Sequence, residues 1–165
     1  MQIQIDSREK ARAITKIVNE FNQQNIKYYV SKLWVGDYMS LDNPRLIIDR
    51  KQNLTELCSN VCNQHDRFRN ELIRAHENDI QIVILVEHGK DIECLEDVIW
   101  WKNPREEKRI KEDGKWNTIQ TKAMKGETLY KILGTLHKKY GVEFQFCTKE
   151  QTGKKIIEIL GGAYD

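Results

Sequence analysis

The sequence predicts a single α/β domain built around a mixed β-sheet. Three observations carry that reading. Strand-like and helix-like patterns alternate along the chain, as they do when helices cover the faces of a sheet. The run "QIVILVEH" is apolar almost throughout, which suits a strand covered on both faces. With 165 residues, 39% hydrophobic and 32% charged, the chain supplies one core under a strongly polar surface.

The elements follow in order. "MQIQID" alternates apolar and polar residues and reads as a first strand. "SREK" opens a helix whose apolar stripe is Ala11, Ile14, Ile17, Val18 and Phe21. "IKYYVSKLWVGDYMSL" reads as extended chain rich in Tyr, Val and Trp. A tight turn at Asp42-Asn43-Pro44 returns it as "RLIIDRK", so the two runs form a hairpin. Leu54, Leu57, Cys58, Val61 and Cys62 mark a helix, and a second runs from His65 to Glu77 with Phe68, Leu72 and Ala75 inward. "QIVILVEH" is expected to be the central strand. Residues 89 to 126 form a charged, Trp-rich insertion or flap within the single domain 1–165, with a hairpin turn at Asp113-Gly114. Regular structure resumes with the helix "GETLYKILGTLHKKYG", striped by Leu129, Ile132, Leu133, Leu136 and Tyr140. The strand "VEFQFCT" follows, then a last helix, "KEQTGKKIIEILGG", stopped by Gly161-Gly162.

Composition narrows the function classes. The net charge is +2, from 27 basic and 25 acidic residues, so only a local basic face can attract nucleic acid. No apolar run approaches the ~20 residues of a membrane span. Asp6, Arg8, Glu9 and Lys10 interrupt any signal-peptide pattern, so a cytoplasmic location and reduced thiols at the four cysteines are expected. Cys58, Cys62 and His65 have C-x₃-C-x₂-H spacing, but Leu54, Leu57 and Val61 share their stripe. Packing of the cysteines as small hydrophobes explains the pattern better than zinc, for which no fourth ligand is evident.

The chemistry lies in three acids at strand ends: Asp6, Asp37 and Asp49. Side chains two apart in a strand share a face, so Asp49 and Lys51 point one way and Arg50 the other. Pairing within the hairpin brings Asp37 beside Asp49. Two carboxylates that close repel unless a cation lies between them. Oxygen ligands without nearby His or Cys suit Mg²⁺ or Mn²⁺. Such an ion activates water and stabilises charge on a phosphate under attack. Lys51, on the same face, is placed to orient or deprotonate that water or to offset the phosphoryl charge.

The motifs "IDSRE" (Ile5 to Glu9), "GD" (Gly36, Asp37) and "DRK" (Asp49 to Lys51) resemble, in order and spacing, those of the XPF-type structure-specific nuclease domain. That family is a branch of the restriction-endonuclease-like PD-(D/E)XK fold. The flanking "VGDY" and "HDRFRNEL" are also similar to prokaryotic members, and the match covers roughly residues 1 to 88. The resemblance implies a restriction-endonuclease-like mixed sheet flanked by helices. It implies a Mg²⁺- or Mn²⁺-dependent endonuclease acting on branched, flapped or single-strand/double-strand junction DNA. Asp37, Asp49 and Asp6 are the metal ligands it points to, and Lys51 and Arg50 complete the catalytic set. Pairing with a helix carboxylate is the alternative role for Arg50.

Two positions depart from the family pattern. Its Glu is Asp49 here, and the acid four residues after the Lys is Thr55, with Glu56 one position later. Relatives append helix-hairpin-helix modules; without them, DNA binding is expected from this domain, its loops or a partner. A homodimer or heterodimer is expected by resemblance, and no small-molecule cofactor. Candidate DNA contacts are Arg8, Arg67 and Arg69, then Trp100, Trp101 and Lys102, and Lys122 and Lys125, where cations interleave with aromatic rings. The alternatives are a four-way-junction resolvase or nicking nuclease, and a non-catalytic DNA-binding or scaffold subunit.

Overall fold

A computed structural model of the chain describes residues 1–89 and 91–161. Among the described residues, five α-helices and eight strands succeed one another. They are β1 (Gln2–Ile5), α1 (Thr15–Gln23), β2 (Lys27–Val30), β3 (Tyr38–Ser40), β4 (Asn43–Lys51), α2 (Leu54–Cys62), α3 (His65–Glu77), β5 (Gln81–Glu87), β6 (Glu107–Glu112), β7 (Lys115–Gln120), α4 (Gly126–Tyr140), β8 (Glu143–Cys147) and α5 (Thr152–Gly161). Six strands make one mixed sheet in the order β2-β1-β3-β4-β5-β8, and β6 and β7 form a separate ribbon.

The alternation of side chains along β4 and β5 divides the core into two layers. Ile47, Ile82, Ile84 and Val86 pack with Leu54 and Leu57 of α2, Phe68 and Leu72 of α3, and Leu129 and Leu133 of α4. Leu46, Ile48, Val83 and Leu85 face the opposite way, onto Ile17 and Phe21 of α1 and Ile156 and Leu160 of α5. This two-sided burial explains why "QIVILVEH" is apolar without alternation. Among the described residues, no helix is long and apolar enough to cross a membrane.

Four expectations change. β5 is an interior strand but fifth of six; the middle of the sheet belongs to β3 and β4. The stretch read as one extended run is two strands, β2 and β3, on opposite sides of β1. The chain crosses between them through Gly36, at φ +66°, where a Cβ would collide with Ile47 Cγ2. Helix α1 begins at Thr15 rather than at "SREK", because the residues before it are held in turns: the Glu9 amide donates to Asp6 O, and the Glu9 side chain is drawn inward. The β3–β4 connection is centred on Leu41-Asp42, and Asn43 and Pro44 already belong to β4. Pro44 sits near the strand start, where a missing N–H is tolerated. The Asp113-Gly114 turn forms as expected, with φ +49° and +77°. Gly161 ends α5, while Gly162 lies outside the described residues.

Candidate active site

The ends of β1, β3 and β4 converge at the N-terminal half of α3. Registers in the β3–β4 hairpin set Tyr38 opposite Ile48, and one further step toward the strand end brings Asp37 to Asp49. Gly36 makes this possible. Its positive φ turns the chain sharply, and its amide donates to Glu71 Oε1 of α3 at 2.9 Å. The Asp37 amide then donates to Ile48 O, and Asp37 Oδ2 accepts the Arg50 amide at 2.8 Å.

The result is an open, polar cavity of about 220 Å³, lined by residues that include Asp37, Asp49, Lys51, Glu56, Arg67 and Glu71. Lys51 Nζ lies 3.0 Å from Asp49 Oδ1 and 5.6 Å from the centre of the Phe68 ring. The Asp37 carboxyl is held well above the usual carboxylate range: burial opposes its ionisation, and the charges of Asp49 and Glu9 add to that. Burial alone would lower the Lys51 ammonium, but Asp49 outweighs it and the group is raised, so it is charged at neutral pH.

Arg50 points through the sheet in the opposite direction from Lys51. Its Nη2 lies 2.8 Å from Glu9 Oε2, and its Nη1 2.9 Å from Glu87 Oε1 at the end of β5. The Tyr38 hydroxyl donates to the same Glu9 oxygen at 2.9 Å. The expected ion pair of Arg50 therefore forms, but its partners lie in the turn before α1 and on the neighbouring strand, not on a helix. The backbone of Arg50 holds Asp37 while its side chain is fixed on the far layer.

Asp6 is placed differently from the other two acids. It is fully buried, does not line the cavity, and both oxygens are engaged: Oδ1 accepts the Leu33 amide at 2.7 Å, and Oδ2 accepts the Arg8 amide at 3.2 Å and Arg8 Nε at 2.5 Å. In this arrangement Asp6 fixes the loop before β3 rather than facing Asp37 and Asp49. Arg8 remains half-exposed at the cavity wall.

The donor set suits a hard divalent cation. Asp49 lies close enough that its charge opposes ionisation of Asp37, and the lining contains no His or Cys. Among the described residues, no three His, Cys, Asp or Glu side chains form a closed ligand cluster. A pair of carboxylates suits Mg²⁺, which keeps several waters and binds through one or two carboxylates together with substrate phosphates. Asp37 and Asp49 would hold it.

The remaining candidates scatter. Arg67 lines the cavity. Arg69 turns toward α4, where its Nε lies 3.4 Å from the Tyr140 hydroxyl. Trp101 is buried in the core, so its ring is not offered to a base, whereas Trp100 is 84% exposed. Lys102, Lys122 and Lys125 are exposed at the root of the β6–β7 ribbon. Cys58 and Cys62 lie 4.0 Å apart, and burial followed by the Cys62 neighbour pushes the Cys58 thiol up to about 11, so it packs as a thiol. Sequence reading missed Glu71; the signal was its place one helical turn after Arg67, within "HDRFRNEL". Glu56 does reach the cavity, accepting the Gln52 amide at 2.7 Å.

The ERCC4 domain model matches residues 5–160. Among solved structures, XPF from Aeropyrum pernix superposes with a TM-score of 0.66 at 16% identity, over 97% of this chain and 63% of that one. XPF from Aeropyrum pernix in complex with DNA gives 0.63, again at 16% identity and with the same coverage. The six-stranded sheet with its flanking helices is therefore that fold, and the chain spans 63% of the length of those structures. No curated protein sequence matches the chain significantly.

Proposed function

The chain belongs to the ERCC4 domain family, and we propose that it is a metal-dependent DNA endonuclease that hydrolyses phosphodiesters at branched, flapped or single-strand/double-strand junctions. The observation that carries this reading is the meeting of Asp37 and Asp49 beside Lys51 in an open cavity. A Mg²⁺ or Mn²⁺ ion held there would supply Lewis-acid stabilisation of phosphoryl charge and an acidified water. Lys51, charged and on the same face, donates to the attacking water or to a phosphate oxygen. Arg8 and Arg67 on the walls meet flanking phosphates, and the exposed Trp100, Lys102, Lys122 and Lys125 extend the contact along the substrate. Arg50 and Glu71 act by position: one holds Asp37 through its amide, the other fixes Gly36. Two copies, or one copy and a partner, complete the grip on DNA.

The test is a panel of labelled flap, fork, four-way, single-stranded and duplex DNA with Mg²⁺. Flaps and forks should be cut, with cutting abolished by chelation and slowed at least about 100-fold in Lys51→Ala, while junction binding by that variant stays within a few-fold of the parent. Cleavage that survives chelation defeats the proposal; paired symmetric nicks on four-way junctions alone would redirect it to a resolvase.

A further inference from the structure

We propose that Trp34 is a stacking platform for an unpaired nucleobase beside the cavity, resting on the endonuclease reading for the identity of the strand it receives. Trp34 lies three residues before Asp37 and is 58% exposed, in a loop where its neighbours Leu33 and Val35 are buried. A large aromatic ring left in water between two core residues is not required by packing.

The loop that carries it is clamped on both sides. The Leu33 amide donates to Asp6 Oδ1 at 2.7 Å, and the Gly36 amide donates to Glu71 at 2.9 Å. The ring is therefore presented by a fixed backbone, which lowers the entropy cost of accepting a ligand. Behind it, the Arg74 guanidinium sits 5.4 Å from the ring centre, and its buried Nε has no hydrogen-bond partner among the described residues. A cation beside an exposed indole suits a base on the ring and a phosphate on the arginine.

Its position ties it to the cavity. Arg67, Glu71 and Arg74 fall at i, i+4 and i+7 on α3 and so form one stripe. Arg67 and Glu71 line the cavity, and Arg74 carries the stripe on to Trp34. Seven residues of helix advance about 10 Å, so the ring lies a short way beyond the cavity. A strand whose phosphate lies at Asp37 and Asp49 thus reaches Trp34 with a nearby base. A paired base has no free face to offer, so the platform favours single-stranded DNA flanking the cut.

The test uses the full chain, without divalent metal, and DNA carrying a single-stranded tail with 2-aminopurine at successive positions. The parent should quench the probe at one position near the mapped cut, and bind tailed DNA more tightly than blunt duplex. Trp34→Ala should remove the quenching and weaken tailed-DNA binding by about 5- to 150-fold, the range expected for one base stack, with duplex binding unchanged. Trp34→Phe should retain most of both, and its thermal melt excludes misfolding as a cause. Equal tail binding by Trp34→Ala and the parent overturns the proposal, as does equal weakening on blunt duplex. If the parent binds tails through Trp34 yet cuts nothing with Mg²⁺, the hydrolase reading fails and this one stands.

Discussion

The cavity and the β6–β7 ribbon contain the same kinds of charged residue in opposite circumstances. Behind the cavity, on the far side of the sheet, the side chains of Arg50, Glu9 and Glu87 are 4%, 9% and 5% exposed and tightly paired. In the ribbon, Arg109 and Lys111 lie over the ring of the 60%-exposed Trp116, and the Lys102–Glu107 pair at its root is 73% and 46% exposed. Residues 102–125 carry eight basic and four acidic side chains, a local +4 in a chain whose total is +2. Buried charges fix geometry because each is costly to leave unpaired. Exposed ones contribute little to folding and remain available to a charged partner.

Removing one partner from the buried triad should have the largest effect. Arg50→Ala leaves Glu9 and Glu87 facing each other without a cation and should cost about 3–5 kcal/mol in urea denaturation, along with cleavage. A loss under 1 kcal/mol would mean that the triad is solvated after all. The next effect is a matter of pH. The Asp37 carboxyl is raised in the folded protein, so the folded state keeps a proton that the unfolded chain has already released. Stability therefore falls as pH rises from the ordinary carboxylate range through the raised value. Asp37→Asn removes that slope and should melt higher than the parent at neutral pH, although it should not cut. An unchanged pH profile would show that neither burial nor Asp49 raises the Asp37 carboxyl. The smallest effect on folding belongs to the ribbon: replacing Lys108, Arg109 and Lys111 by Ala should alter stability by no more than about 0.5 kcal/mol. The same variant should bind junction DNA more weakly and with a shallower salt dependence. Unchanged affinity at low salt would remove the ribbon from the interface.

The contrast also explains what the sequence revealed. The helix from His65 to Glu77, the Asp113-Gly114 hairpin and the opposite facing of Lys51 and Arg50 all follow from local periodicity and turn chemistry, and each is found. Long-range pairing was less legible. Nothing local shows that β1 inserts between β2 and β3, which breaks the extended run near Gly36. Asp6 looked equivalent to Asp37 because both are acids at strand ends; only the fold shows that the Leu33 amide and Arg8 occupy it. Trp101 and Trp100 are adjacent in sequence, yet one is core and the other solvent, a distinction set by the packing of α4 against the 3₁₀ turn at Leu95–Trp100.

The proposed cation site is formed by Asp37 and Asp49, with Asp6 outside it. Manganese binding, followed by electron paramagnetic resonance in the presence of junction DNA, tests this directly. The parent should bind the ion, Asp37→Asn and Asp49→Asn should each lose it, and a folded Asp6→Asn should retain it. Retention by Asp37→Asn and Asp49→Asn, or loss in Asp6→Asn alone, would contradict the assignment.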